Sequence, residues 1–310
     1  MVPVIEVHNL SRTYGKIKAV DHISFKIKKG EIFGFLGPNG AGKTTTVRML
    51  TGVIESTEGT ATIQNHDIRN ESLLSRAHLS IVPEEANVYL DLSVWQNIML
   101  MAELHGIPRN QRIREADRLL KLLNLKEKKK QKARELSKGL RQRLMLCAAL
   151  VTDPDILFLD EPTSGLDVQS ARLIRQIITD LNQNGLTVFL TTHNMEEAGE
   201  MCSRIAIINK GRIATVDTPE KLKTTISSRQ FVEVRFKDPA PAYNELESLQ
   251  SVLQMEVDKK TFRFYTKTPG KVTTEVVHLA ENKKSEIVHL STCKPTLEDV
   301  YLYFTSEDKK

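Results

Sequence analysis

The stretch EIFGFLGPNGAGKTTTV, residues 31–47, runs from an apolar segment through a glycine loop into a helix-compatible segment. Glu31 to Leu36 predicts a short buried strand, and a helix is expected from about Lys43. Between them GPNGAGKTT, Gly37 to Thr45, fits the pattern G-x-x-x-x-G-K-[ST]. Phosphate groups need closely spaced donors with no side chains in the way. Gly37, Gly40 and Gly42 allow that backbone path, the helix directs its amino-terminal dipole at the anion, and Lys43 adds a full positive charge.

Outward from this loop, the same alternation of apolar strand and amphipathic helix recurs. DILFLD reads as a second buried strand ending at the adjacent acids Asp160 and Glu161, and TVFLTTH as a third ending at His193. Ala171, Ile174, Ile178 and Leu181 mark a helix between them, with Gly185 as its carboxy-terminal cap. Pro3 to His8 and Ile23 to Ile27 alternate as strands, whereas Ser93 to Leu125 turns helical, with Ile113, Ala116, Leu120 and Leu123 on one face. Strands alternating with helices predict a mostly parallel sheet.

With 44 Lys plus Arg against 39 Asp plus Glu, the 310-residue chain carries a formal charge of +5, a mild bias that singles out neither an acidic membrane face nor RNA. The length suits one large domain and one small one. Cys147, Cys202 and Cys293 are far apart and odd in number, which argues against a disulfide framework or a zinc cage. No apolar run approaches the roughly 20 residues that span a bilayer, so a membrane role is expected to need a separate partner. KEKKKQKAR, Lys126 to Arg134, reads as a solvated charged loop.

Near Ser227 the pattern changes. FVEVRF, a helix around Tyr243 to Leu249, strands at 252–257 and 261–266, a helix around Val272 to Glu281, EIVHLST and a helix at Thr296 to Phe304 give a β-α-β-β-α-β-α order. That order predicts a ferredoxin-like α+β domain over 227–310, following a first domain over 1–226 with a helical subdomain at about 87–150. The last helix is amphipathic, with Leu297, Val300, Tyr301 and Phe304 on one side.

The glycine loop, LSKGLRQR at Leu136 to Arg143, ILFLDEP at Ile156 to Pro162, SGLD at Ser164 to Asp167 and TTH ending at His193 occur in a fixed order, with Ser137 lying 23 residues before Asp160. Over roughly the first two-thirds of the chain this resembles the ATP-binding cassette (ABC) ATPases. The resemblance implies an α/β P-loop NTPase core with a mostly parallel sheet, an antiparallel β subdomain and a helical subdomain. It implies ATP and Mg2+ as cofactors, with Gly37, Pro38, Asn39, Gly40, Ala41, Gly42, Lys43, Thr44 and Thr45 around the phosphates. Tyr14, 29 residues before Lys43, takes the place of the adenine-stacking aromatic. Thr44 and Asp160 would hold the metal, Glu161 would polarise the attacking water, and His193 would contact the γ-phosphate. Ser137 and Gly139 would contact nucleotide bound by the opposite subunit of a head-to-tail dimer, and Asp167 would sit across that interface.

Two positions depart from the family pattern. LSKGL stands where LSGGQ is typical, so Lys138 replaces a glycine and Leu140 a glutamine. Glu84, in SIVPEE, stands where a magnesium-contacting glutamine is usual; a carboxylate there binds metal well but repels the γ-phosphate. The ending PTLEDVYLYFT resembles that of single-cassette subunits of drug, antibiotic or polysaccharide exporters. The expectation is therefore a peripheral ATPase at the cytoplasmic face of the cell membrane, working as a homodimer or heterodimer with an integral membrane permease and no nucleic acid. A soluble ABC ATPase acting on ribosomes or nucleic acid, and an importer subunit, are the alternatives.

Overall fold

A computed structural model describes residues 3–85, 87–226, 230–258 and 260–305, in two compact units, Met1–Thr218 and Pro219–Lys310. The boundary expected at Ser227 falls on residues 227–229, outside the described residues.

In the first unit an antiparallel sheet forms from β1 (Pro3–Tyr14), β2 (Ile17–Lys28), β4 (Glu58–Ile63) and β5 (His66–Asp67), in the order β2-β1-β4-β5. A six-stranded sheet takes β3 (Ile32–Leu36), β6 (Leu79–Val82), β7 (Ile156–Asp160), β8 (Thr187–Thr192), β9 (Arg204–Asn209) and β10 (Arg212–Asp217), in the order β10-β9-β3-β8-β7-β6. All its pairings are parallel except the edge hairpin β9–β10. β3, β7 and β8 are buried along their whole length, as strands covered on both faces must be, which is why their sequences are nearly all apolar. Phe25 of β2 stacks on Phe33 at 5.2 Å, and Phe158 and Phe189 close the cluster, so both sheets share one core. That shared core fixes where the carboxyl ends of the parallel strands lie. Leu36 pairs with Thr192 and Asp160 with Thr191, so three motif-bearing strand tips stand side by side.

The crossovers carry α1 (Lys43–Leu50), α2 (Ser72–Arg76), α6 (Val168–Gln183) and α7 (Met195–Met201). The helical subdomain comprises α3 (Val94–Leu104), α4 (Arg109–Leu122) and α5 (Lys138–Leu150). α3 begins at a capping box, with Ser93 accepting from the Gln96 amide and the Gln96 side chain returning to Ser93. On α4 the buried stripe is Ala116, Leu119 and Leu120, continued by Leu123; Ile113, expected on that face, is 37% exposed. A helix turns about 100° per residue, and position 113 has already drifted off the packed side. Gly185 follows the α6 cap residue Asn184 in a left-handed conformation, φ 101°.

The second unit opens with α8 (Pro219–Thr225) and continues as β11 (Phe231–Phe236), α9 (Tyr243–Glu247), β12 (Gln254–Asp258), β13 (Thr261–Tyr265), α10 (Pro269–Lys283), β14 (Ile287–Cys293) and α11 (Leu297–Thr305). Its sheet is antiparallel throughout, in the order β12-β13-β11-β14, the ferredoxin-like arrangement. Val232, Val234 and Phe236 point to α9 and α10, packing with Leu246, Val272 and Val276. α11 buries Leu297 and Val300 and packs with α8.

Candidate functional site: a phosphate loop at three strand tips

The loop after β3 is held by close backbone packing that only glycine permits. A Cβ at Gly37 would lie 2.4 Å from the Ile208 carbonyl oxygen, and one at Gly42 would lie 2.6 Å from that of Ala19. Gly42 caps α1 with φ 109°, a left-handed conformation that leaves the first amides of the helix free to point outward. Asn39, Gly40, Gly42, Lys43, Thr44 and Thr45 line a cavity of about 230 Å³ together with Ala19, Glu84 and Glu161.

Inside this cavity Lys43 is 6% exposed and donates to the carbonyls of Gly37 at 2.7 Å and Pro38 at 3.1 Å. Its ammonium also lies 3.0 Å from Glu161 Oε1. Glu161 Oε2 in turn meets His193 Nδ1 at 2.8 Å and accepts from the His193 amide at 3.3 Å. One carboxylate, itself 6% exposed, therefore joins the phosphate-loop lysine to the histidine of the neighbouring strand tip. Glu161 sits immediately beyond β7 with φ 50°, a conformation that costs a side-chain-bearing residue about 1 kcal/mol or more. Its amide bonds to both the carbonyl and the hydroxyl of Thr191 at 3.1 Å, and these bonds hold the turn. Asp160, 3% exposed, accepts from the same Thr191 hydroxyl and is thereby aimed off the strand end.

Ser137, Gly139 and Asp167 form a second cluster apart from that cavity. Ser137 caps α5, accepting from Leu140, and Asp167 caps α6, accepting from the amide and hydroxyl of Ser170. These bonds from Ser170 hold the Asp167 carboxyl below the usual carboxylate range. Ser170 also touches Gly139, where an added Cβ would come within 2.5 Å of its hydroxyl. The ammonium of Lys138, the residue that departs from the family pattern, stands over Gly165, 2.5 Å from where a Cβ there would be. Thus the Lys138 side chain lies beside the SGLD turn. Tyr14, at the end of β1, is 44% exposed with the Arg12 guanidinium 4.7 Å from its ring centre, and it does not line the phosphate-loop cavity.

Sequence reasoning did not single out Ala19, which walls the cavity, or Glu197. The latter is 1% exposed in the first turn of α7, and accepts from Thr163 at 2.7 Å, two residues after Glu161. The amide of Glu197 bonds to the Asn194 side chain, next to His193. Segments 161–163 and 193–197 are consequently tied at both ends. A glutamate at N3 of a helix that begins just after a strand-tip histidine was the available signal.

A glycine loop between a buried strand and a helix, with carboxylates on the adjoining parallel strand tip, defines a P-loop nucleotide hydrolase. The ABC transporter family profile matches residues 20–164. The Nod factor export ATP-binding protein I of Paraburkholderia xenovorans is 34% identical over 304 residues, spanning 98% of this chain and 97% of that protein. The linearmycin resistance ATP-binding protein LnrL of Bacillus subtilis is 31% identical over 305 residues, 97% of this chain and 98% of its own length. A solved dimeric ATP-binding cassette in a post-hydrolysis state, bound to ADP and Pi, superposes with a TM-score of 0.64 at 26% identity, over 69% of this chain and 98% of that one. The chain belongs to the ATP-binding cassette family and is an ATP-hydrolysing transporter subunit.

Proposed function

We propose that two cassettes close head to tail around two ATP molecules and that their hydrolysis drives export through a separate integral membrane permease. The observation that carries this reading is the division of the motif residues. Lys43, Glu161 and His193 are linked in one cluster at the strand tips, while Ser137, Gly139 and Asp167 gather at the starts of α5 and α6. The first group suits the phosphates of one nucleotide; the second offers helix amino termini to another.

Within the first group, Lys43 exchanges its loop carbonyls for phosphate oxygens. Glu161 orients and polarises the attacking water, and His193 holds both that carboxylate and the γ-phosphate in line. Thr44, Asp160 and Glu84 supply only oxygen donors. Magnesium in phosphoryl-transfer sites takes one or two carboxylates along with the phosphates, so this set fits it. Bound there, the ion would neutralise charge on the β and γ oxygens. Glu197, through Thr163, positions Glu161 from behind.

Partner and direction rest on different support. A groove of about 380 Å³, lined by Val53, Leu79, Tyr89, Asn97, Met101 and Met145, runs beside Pro83 and suits a short helix of a permease. No helix among the described residues is long and apolar enough to cross a membrane. Both relatives matched along nearly the whole chain, second domain included, carry names of export or drug resistance, which favours export from the cytoplasmic face. The test is affinity purification of Glu161→Gln with ATP and magnesium from detergent-solubilised cells. A stably closed dimer accompanied by a polytopic membrane protein is expected; ribosomes or nucleic acid in its place would reject the transporter reading.

A further inference from the structure

Charge along this chain is unevenly distributed. Residues 109–134 hold eleven Lys and Arg against three Asp and Glu, an excess of eight. The whole chain's 44 against 39 is an excess of only five, so everything outside this segment is net negative. Arg112, Arg118, Lys129 and Arg134 are paired with carboxylates. Arg114, Lys121, Lys126, Lys128, Lys130 and Lys132 are exposed, and no carboxylate lies within ion-pair distance of them among the described residues. Arg114 and Lys121 stand on α4 opposite its buried stripe, and the lysines follow on the connection to α5.

That connection does not behave as a free loop. The Val94 amide donates to Gln131 O and that of Trp95 to Lys129 O, while the amides of Ala133 and Arg134 donate to Leu92 O and Leu90 O. Lys129 is clamped between Asp117 and the face of Trp95, 3.6 Å from the ring centre. The basic run is thus fixed along segment 89–95, whose Tyr89 lines the groove assigned above to the permease.

We propose that this basic rim is a lipid contact: Arg114, Lys121, Lys126, Lys128, Lys130 and Lys132 bind the anionic phospholipid headgroups surrounding the membrane subunit. The assignment rests on the transporter reading, and continuity with the groove favours lipid over nucleic acid. A membrane-proximal Lys or Arg attracts an acidic leaflet within about one Debye length, roughly 8 Å at physiological salt. A rim seated beside the permease needs no stereospecific partner to exploit that attraction. Solvated ammonium and guanidinium groups with no carboxylate at ion-pair distance meet the requirement, since no existing ion pair has to break.

The test uses the full chain and sedimentation with vesicles of phosphatidylcholine, with or without phosphatidylglycerol. Binding to the anionic vesicles alone is expected, weakening as salt is raised from 0.1 M to about 1 M. The quadruple variant K126Q/K128Q/K130Q/K132Q should bind them about 10²- to 10³-fold less tightly, with ATP turnover in solution unchanged. Equal binding to both vesicle types, binding to neither, or undiminished binding by the quadruple variant overturns the proposal. Preferential capture of single-stranded RNA over anionic vesicles overturns it as well and gives the rim to nucleic acid. Permease recovery with Glu161→Gln is read independently, so a failed vesicle result leaves that reading intact.

Discussion

The two clusters of motif residues are built on opposite principles. The phosphate-loop cluster is concave and charged, and Lys43 and Glu161 are each only 6% exposed. The LSKG and SGLD cluster is a pair of capped helix starts whose side chains, Ser137, Lys138 and Asp167, stand at the surface. In the first, opposite charges satisfy one another within the chain. In the second, each cap bond stays within its own helix and takes up one amide, so the other first-turn amides remain available to an external anion. On the proposed reading, the half around Glu161 is finished within one chain, whereas the half at the starts of α5 and α6 is left open for a partner's nucleotide.

The largest expected effect tests the closed half. Glu161→Gln should lower the steady-state ATPase rate about 10²- to 10⁴-fold while nucleotide still binds. Normal turnover would remove the assignment of the catalytic carboxylate.

Next in size, Ser137→Ala should reduce turnover about 10²-fold with nucleotide affinity of the isolated chain unchanged. The sharper version mixes Glu161→Gln with Ser137→Ala before ATP is added. Random pairing puts half of the chains in mixed dimers with one intact site each, so up to about a quarter of the wild-type rate should return. If one chain's two clusters served the same nucleotide, the mixture would stay inactive.

A smaller effect, about tenfold on kcat with little change in KM, is expected for Thr163→Val, which removes the bond to Glu197; Thr163→Ser should restore it. A matched loss of stability without a change in kcat would make the contact purely structural. Glu84→Gln should shift the magnesium dependence of turnover by a few fold, because it exchanges a charged for a neutral oxygen donor beside Thr44. An unchanged magnesium titration would exclude Glu84 from the metal's surroundings.

The smallest effect lies in the open half. Asp167 is held below the ordinary carboxylate range by Ser170, so its contribution is present above the unfolded value of about 3.9 and is lost as pH falls below it. Between pH 7 and pH 3 the thermal midpoint of Asp167→Asn should therefore fall less than that of the parent chain. Equal falls would show that this cap does not titrate in that interval.

Much of this was legible in the chain itself, because glycine loops and buried strands impose local patterns. IFGFL, ILFLD and TVFLTT read as covered strands, and the β-α-β order after Ser227 pointed to the ferredoxin-like sheet of the second unit. The hairpin β9–β10 escaped although NKGR carries its turn; Lys210 and Gly211 both have positive φ. What sequence does not encode locally is proximity. Glu161 meets a histidine 32 positions away, Gly139 meets Ser170, and Lys138 meets Gly165. Such pairings follow from how strands order in the sheet, and no periodicity reports them. Ile113 failed for a related reason, since near-helical spacing tolerates a residue at the edge of the stripe that packing then leaves in solvent.

Trp95, the chain's single tryptophan, lies under the Lys129 ammonium at the start of α3. Its emission is consequently a one-site optical signal with no background from other indoles. Anything that lifts Lys129 from the ring, or dries the rim beside it, should change intensity or wavelength. Docking at this edge can then be timed by stopped flow on the unlabelled protein, with the partner dark or bright as chosen.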